Sequence, residues 1–127
     1  GFAVRDDRHF NVQLSFEGGI ELARLFMRMK DKPSAIVAGN DAVAIGFIRE
    51  AQKAGVRVPQ DVSIIGLDDI ETAAMITPAV TTVAKPKREI GATGARMILD
   101  MLNGKKNVAS TFLTPFLIER ESVAELK

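Results

Sequence analysis

The apolar residues of this chain alternate between helical spacing and short continuous runs. Between Ser15 and Lys30 they recur every three or four positions, which predicts an amphipathic helix with Ser15 as its N-cap. Residues 35–38 form a short apolar run, which predicts a buried strand. Helical spacing then returns between Asn40, a favourable N-cap, and Gly55, a favourable residue just beyond a helix end.

A second apolar run, at residues 62–67, is interrupted only by Ser63 and ends at Asp68 and Asp69. This pattern is typical of a strand that is buried on both faces of a parallel sheet. Helix, strand, helix and strand thus follow one another within about 50 residues, as in βαβ units. The predicted fold class is α/β, with a parallel sheet and flanking helices.

The second half of the chain is predicted to continue the alternation. We expect a short helical piece at 71–75, an extended segment at 81–83, and a helix that begins at Pro86 and is closed by Gly104. Residues 112–118 are predicted to form a final extended segment. A length of 127 residues is that of one domain, or of a piece of one.

The composition excludes several classes of function but does not point to one. The 17 basic and 16 acidic residues give a net charge of +1, which provides no electrostatic footprint for nucleic acid. There is no cysteine, and His9 is the single histidine, so neither thiol chemistry nor a zinc site is expected. No run is apolar enough for a membrane helix. Residues 1–8 lack the organisation of a secretory signal, and we expect a fragment or a mature product.

Asp68 and Asp69 lie where the carboxyl end of a buried strand is predicted, which is where open α/β sheets bind ligands. They could act as acid and base, as metal ligands or as hydrogen-bond acceptors, or could merely cap the next helix. Adjacent acids on an extended backbone diverge, so one is expected to enter a site.

Asn40 follows the other predicted strand, at residues 35–38. If the strands are neighbours, Asn40 and Asp68 face one crevice and suit a polyhydroxylated ligand, although capping also explains Asn40.

Other polar and apolar clusters permit a structural explanation. The basic residues at 85–88 and 105–106 are interpreted as solvated helix ends, in preference to phosphate sites. No phosphate-binding glycine motif occurs. The helix after Asn40 is apolar on more than one side, which indicates either deep burial or a partner surface.

Several blocks, in order, resemble the lactose-repressor (LacI/GalR) family, and together they extend from about Leu14 to Ser122. The most specific are PSAIVAGNDAVAIG at residues 33–46 and GVRVPQDVSIIGLDD at residues 55–69. The weaker blocks are SFEGG at 15–19, PAVTTV at 78–83, the Ile90-Gly91 pair with its helix, and LIERES at 117–122.

The resemblance implies a type I periplasmic-binding-protein-like core of which this chain is the C-terminal part. Residues 1–84 and 115–127 would belong to the C-terminal subdomain, and residues 85–114 to the N-terminal subdomain of an intact member. Nothing here resembles the family's helix-turn-helix, so operator DNA would be bound only through an N-terminal domain that this chain lacks.

Carried over by position, the resemblance implies that Asn40 and Asp68 contact the effector. Leu14 falls where the family often places an aromatic residue that stacks on the ligand, and its aliphatic side chain departs from that pattern. The resemblance also implies a homodimer interface formed by Ile45, Ile48, Arg49, Met75 and Ile76.

The expected function is therefore binding of a small effector, a sugar or sugar derivative, and dimerisation, within a cytoplasmic transcriptional regulator. No cofactor, metal, membrane or catalytic residue is expected. Two alternatives are a periplasmic sugar-binding receptor of a transporter, with the same fold, and an α/β enzyme that uses Asp68 or Asp69.

Overall fold

A computed structural model describes residues 8–125 of the chain, in which helices pack against one mixed sheet. The predicted α/β class is confirmed, and most helix and strand positions agree with the sequence patterns. In chain order the elements are α1 (Phe16–Arg28), β1 (Ala35–Val37), α2 (Asp41–Lys53), β2 (Ser63–Leu67), a 3-10 helix (Glu71–Ala74), β3 (Thr81–Ala84), α3 (Lys87–Leu102) and β4 (Phe116–Ile118).

The four strands lie in the order β1-β2-β3-β4. The first three are parallel, with Ile36 opposite Ile64 and Ile65 opposite Thr81. β4 runs antiparallel to β3, so the sheet is mostly parallel with one antiparallel edge strand. Parallel neighbours end at the same edge, and this topology therefore brings the loops after β1, β2 and β3 together.

Helices α1 and α2 begin at the predicted caps and pack backbone to backbone. The Ser15 hydroxyl accepts a hydrogen bond from the Gly18 amide at 3.1 Å. A methyl group on Gly46 would overlap the carbonyl oxygen of Phe16, and one on Gly19 would overlap that of Val43. Only glycine permits this separation, so the two positions fix how closely the helices approach.

The hydrophobic core lies between these helices and the sheet. Phe26 of α1 and Phe47 of α2 meet edge to face, with ring centroids 5.5 Å apart. Ile48 is 1% exposed and belongs to the same core. Deep burial therefore explains at least part of the broad apolar surface of α2, and a partner surface is needed only for the residues that are not buried.

Helix α3 has the length and apolar spacing predicted for it, and Gly104 follows its end with a φ of +86°. None of its residues is buried against the other described elements. Exposed apolar side chains along it include those of Ile98, Leu99 and Leu102. Within residues 8–125, no helix is long and apolar enough to cross a membrane.

Candidate functional site

The three parallel strands each deliver a polar residue to the same edge of the sheet. Asn40 follows β1, Asp68 follows β2 and Lys85 follows β3. The backbone pairing continues past the strand ends, because the Ala38 amide donates to Ile65 O at 2.9 Å and the Asp68 amide donates to Val83 O at 3.0 Å. These loops are therefore held against one another rather than splayed, which makes the edge a candidate binding site.

Asn40 has both of its amide atoms occupied. Its Oδ1 accepts a hydrogen bond from the Val43 amide at 2.9 Å, as expected of an N-cap, and its Nδ2 donates to the Leu14 carbonyl oxygen at 3.2 Å. Asn40 is thus tied to Leu14, a second predicted site residue, whose side chain is 65% exposed. The capping explanation accounts for these two hydrogen bonds, and one Nδ2 hydrogen and one Oδ1 lone pair are left for a ligand.

Asp68 lies on an unusual backbone with a φ of +107°. Its Oδ1 forms an ion pair with Lys85 Nζ at 2.6 Å, and the two side chains are 33% and 46% exposed. No hydrogen bond to the other carboxylate oxygen, Oδ2, occurs among the described residues. Asp68 is therefore held in place while one face of its carboxylate remains open to solvent.

Asp69 points to different partners. Its Oδ1 accepts a hydrogen bond from Arg120 at 2.7 Å, and the same guanidinium donates to the Val80 carbonyl oxygen at 2.9 Å. Lys87 Nζ donates to the Asp69 carbonyl oxygen at 3.0 Å. The two adjacent acids hence have separate environments, and Asp69 joins the end of β2 to the segment that follows β4.

A third acid at this edge, Asp41, is completely buried. Its Oδ1 accepts a hydrogen bond from the Thr82 hydroxyl at 2.6 Å, and its Oδ2 accepts one from the Ile70 amide at 2.9 Å. The carboxylate therefore fastens the start of α2 to β3 and to the turn before the 3-10 helix. The sequence predicted a possible capping role for Asp41 but not these buried hydrogen bonds. Thr82, a polar residue within β3, was the signal that could have indicated them.

Lys85 and Arg120 are the other residues of the site that the sequence patterns did not identify. Lys85 was interpreted as part of a solvated helix end, but it pairs with Asp68, so that interpretation is corrected at this position. Arg120 lies next to the predicted last strand. In both cases the partner lies in another part of the chain. Lys85 comes directly after β3, which ends at the ligand edge, and this position is a signal in the sequence. Arg120 follows the opposite end of β4, which begins at that edge, so it carried no such signal.

A cavity with a volume of about 670 Å³ lies beside β1. Leu14 is the one predicted effector residue that lines it, together with apolar residues such as Phe10 and Val37 and the imidazole of His9. Asp68 lies outside it. Geometry at the strand ends, rather than cavity size, therefore identifies the candidate site, since a polar ligand needs convergent hydrogen-bonding groups.

The residues predicted for a dimer interface are distributed unequally between surface and core. Ile48 is buried within the chain and cannot face a partner, which helical spacing alone could not reveal. Ile45 and Ile76 are half-buried against the core, Met75 is 67% exposed, and Arg49 lies 5.3 Å from the Phe16 ring. We therefore correct the predicted set by removing Ile48.

The chemistry that this edge offers is hydrogen bonding and ion pairing. Within residues 8–125, no group of three or more histidine, cysteine, aspartate or glutamate side chains is placed to hold a metal ion. Among the residues that the structure describes, the strongly shifted carboxyl is that of Asp61, which lies before β2 and so at the opposite edge. Hydrogen bonds from Arg57 hold the pKa of Asp61 at about 2.

Comparison with known proteins identifies the family of the chain. The family described as the periplasmic binding protein-like domain matches residues 3–123. The chain belongs to this family. The HTH-type transcriptional repressor PurR of Erwinia tasmaniensis is 37% identical over 126 residues, which cover 98% of this chain and 37% of that repressor.

Solved structures of similar fold include LacI-family regulators, which confirms the predicted family resemblance. A LacI family transcriptional regulator from Enterococcus faecium, with bound ribose, has a TM-score of 0.83 at 33% identity and is matched over 91% of this chain and 43% of its own. The Escherichia coli transcriptional repressor ascG has a TM-score of 0.85 at 32% identity, over 98% and 45%. The chain thus spans less than half the length of these relatives.

Proposed function

We propose that this chain is the effector-binding and dimerisation region of a LacI-type transcriptional regulator, with a sugar or sugar derivative as effector. The observation that carries the proposal is the Asp68 side chain, 33% exposed at the carboxyl edge of three parallel strands. The same edge carries Asn40, which is hydrogen-bonded to Leu14. The ribose bound by the Enterococcus faecium relative supports the class of ligand. Relatives named as repressors support a cytoplasmic regulator rather than a transport receptor or an enzyme.

The path of the chain suggests how binding could be transmitted. The backbone leaves the sheet after β3, forms the separate helix α3, and returns in β4. We assign residues 85–114 to the other subdomain of a longer protein, and 1–84 and 115–127 to the C-terminal subdomain. Both crossings lie at the ligand edge, because Lys85 follows β3 there and Phe116, the first residue of β4, pairs with Ala84, the last residue of β3.

An effector that prefers the closed arrangement of the subdomains would shift the equilibrium between open and closed states. The size of the shift equals its difference in affinity for the two. DNA-binding heads, supplied by an N-terminal domain outside this chain, would respond as a two-fold pair on an operator.

The test is calorimetric titration of the longest natural protein that carries these residues, with a panel of pentoses and hexoses. Asp68→Asn is expected to weaken binding about tenfold or more, because it removes a charged acceptor. Asparagine tolerates positive φ better than alanine and so preserves the backbone at Asp68. Asp69→Asn is expected to have a smaller effect, since Arg120 occupies its carboxylate.

Asp100→Asn serves as the matched control, because Asp100 also pairs with a lysine, Lys105 at 2.9 Å, but lies at the end of α3. Equal losses in the Asp68 and Asp69 variants would contradict the assignment of Asp68 as the effector-binding acid. Catalytic turnover of a panel sugar that disappears in Asp68→Asn would favour the enzyme alternative instead.

For dimerisation we propose the surface formed by Ile45, Arg49, Met75 and Ile76. Its two parts, α2 and the segment after the 3-10 helix, are joined by a hydrogen bond from Gln52 Nε2 to the Thr77 carbonyl oxygen at 3.0 Å. Methionine and arginine, both present on this surface, are enriched at interfaces.

Met75→Glu is expected to raise the dimer dissociation constant at least about tenfold, by placing a charge in an apolar contact. Sedimentation equilibrium measures it. Val123→Glu is the control, because Val123 is 44% exposed and lies beside the amino end of β2, where Ala124 contacts Ser63. An unchanged mass distribution in Met75→Glu, at concentrations where the unaltered protein is dimeric, would reject this surface.

A further inference from the structure

The charges around the Asp68–Asp69 pair are not balanced. Two carboxylates stand beside three cations: Lys85 pairs with Asp68, Arg120 pairs with Asp69, and Lys87 contacts the Asp69 carbonyl oxygen. No salt bridge that involves Lys87 occurs within residues 8–125. The third acid of this edge, Asp41, is buried and hydrogen-bonded to Thr82 and Ile70, so Asp68 and Asp69 are the carboxylates that stand beside these three cations.

The position of Lys85 is set by the strand pairing rather than by chance rotation of a surface side chain. Val83 of β3 accepts a hydrogen bond from the Asp68 amide, and Lys85 lies two residues further along the same chain direction. Its ammonium therefore reaches the carboxylate from the neighbouring loop at 2.6 Å. Both side chains remain between one third and one half exposed, so a solute can reach them together.

This pairing changes what Asp68 offers to a ligand. A carboxylate already neutralised by an ammonium gives a weaker charge-assisted hydrogen bond to a neutral hydroxyl than a free one does. An ammonium has three donors, and Asp68 is the one acidic partner of Lys85 among the described residues. The pair therefore presents an acceptor at Asp68 Oδ2 and further donors at Lys85 Nζ.

We propose that Lys85 is a specificity-determining residue that selects an effector carrying an anionic group, a carboxylate or a phosphate, as well as hydroxyl groups. Asp68 accepts a hydrogen bond from a ligand hydroxyl, and the Lys85 ammonium binds the ligand anion, with Lys87 adding to the local positive potential. This inference rests on the proposed function, because it requires that Asp68 face an effector.

The experiment compares neutral and anionic ligands on one carbon skeleton, with the longest natural protein that carries the chain. Calorimetry is performed with D-ribose, D-ribonate and D-ribose 5-phosphate, and with D-glucose, D-gluconate and D-glucose 6-phosphate. We expect the anionic member of at least one series to bind about tenfold more tightly than its neutral parent, as is typical of a charged hydrogen bond. The acid and phosphate arms show which anion is preferred.

Lys85→Met is expected to lower affinity for that anionic ligand about tenfold, while affinity for the neutral parent does not fall, because the freed Asp68 carboxylate is the stronger acceptor. Lys85→Arg keeps the charge and should restore most of the preference. Lys105→Met is the matched control: it breaks another exposed lysine–aspartate pair, with side-chain exposures of 62% and 38%, outside the site.

A purely structural ion pair predicts a different result, in which Lys85→Met weakens all ligands equally and the anion preference is unchanged; that result would overturn the proposal. Asp68-dependent binding of a neutral sugar with no anion preference would also overturn it, and would leave the proposed effector site intact. Absence of binding by every member of both series would count against the effector site itself, and with it against this role of Lys85. Thermal unfolding of each variant confirms that it is folded.

Discussion

Helices α2 and α3 carry comparable apolar stripes, yet they have opposite fates in the structure. Seven of the 13 residues of α2 are buried, and none of the 16 residues of α3 is. Helical periodicity thus indicates that a face is to be covered, but it does not indicate by what. In α2 the cover is the rest of this chain; for α3 we propose that it is the other subdomain of a longer protein.

The two helices also differ in how much burial of their apolar faces contributes to stability. A helix of 16 residues gains little stability from its own hydrogen bonds in water, and most helices depend on packing of one face. Apolar surface on α3 that stays in contact with water contributes none of the roughly 25 cal/mol per Å² that burial provides. We therefore expect the 127-residue chain by itself to consist of a cooperative unit and a helix that opens independently.

The largest expected effect is in amide hydrogen exchange of the 127-residue chain. Amides in the middle of α2 should exchange only through global opening, whereas those of α3 should exchange through local opening, at least about a thousandfold faster relative to their unfolded rates. Nuclear magnetic resonance measures both helices in one sample. Similar protection in the two helices would show that α3 is covered after all.

The second prediction contrasts two side-chain truncations. Phe47→Ala should lower the free energy of unfolding by about 3 kcal/mol or more, because the ring is fully buried against Phe26. Leu102→Ala should change it by less than about 0.5 kcal/mol, since Leu102 is 78% exposed. Guanidinium unfolding of the 127-residue chain measures both.

In a longer protein that supplies the cover, the cost of Leu102→Ala should rise to about 2 kcal/mol. A cost that stays near zero there would argue against the assignment of residues 85–114 to an interdomain position.

A smaller effect is expected from the buried carboxylate in the packed region. Asp41→Asn should destabilise the chain by about 2 kcal/mol, because an amide cannot accept with both of its terminal atoms, and either Thr82 or Ile70 loses its partner. Asp100→Asn, in the exposed pair with Lys105, should cost no more than about 0.5 kcal/mol. Equal costs for the two variants would mean that burial at Asp41 adds nothing to the strength of its hydrogen bonds.

The smallest effect concerns a surface pair next to β2. Arg57 binds Asp61 through its amide, Nε and NH2 groups, and these hydrogen bonds lower the pKa of Asp61 from the ordinary 3.8 to about 2. A depressed carboxyl pKa stabilises the fold above the unfolded value, and this contribution is lost as the pH falls from about 4 through about 2. Arg57→Met should return the Asp61 pKa to near 3.8 in a carbon-detected titration; an unchanged value would contradict the pairing.

The order of elements could be predicted because each depends on local signals. Ser15 and Asn40 begin helices for the reason that their side chains satisfy free amides, and Gly104 ends one because it adopts a positive φ. The direction of β4 had no such signal, since an extended segment of three residues pairs in either direction. Nor could periodicity show that Ile48 faces the core, because α2 is apolar on more than one side.

The candidate site was predictable only in part. Parallel strands with polar residues after them predict an edge site, and Asn40 and Asp68 do lie after neighbouring strands. The choice of partners depends on contacts between distant parts of the chain, such as Asp68 with Lys85. Asp41 illustrates the limit: its buried bonds to Thr82 and Ile70 require that three separate segments come together, and no local pattern specifies that.

The carboxylate of Asp41 has one further consequence. Asn40, the residue before Asp41, lies at the proposed effector edge. Ile70, whose amide donates to Asp41, is followed by the 3-10 helix and then by Met75 on the proposed dimer face. One buried side chain therefore anchors both surfaces to the same rigid body. If the two proposed surfaces bind an effector and a second subunit, a rotation at the ligand edge would change the orientation of the proposed dimer face with it.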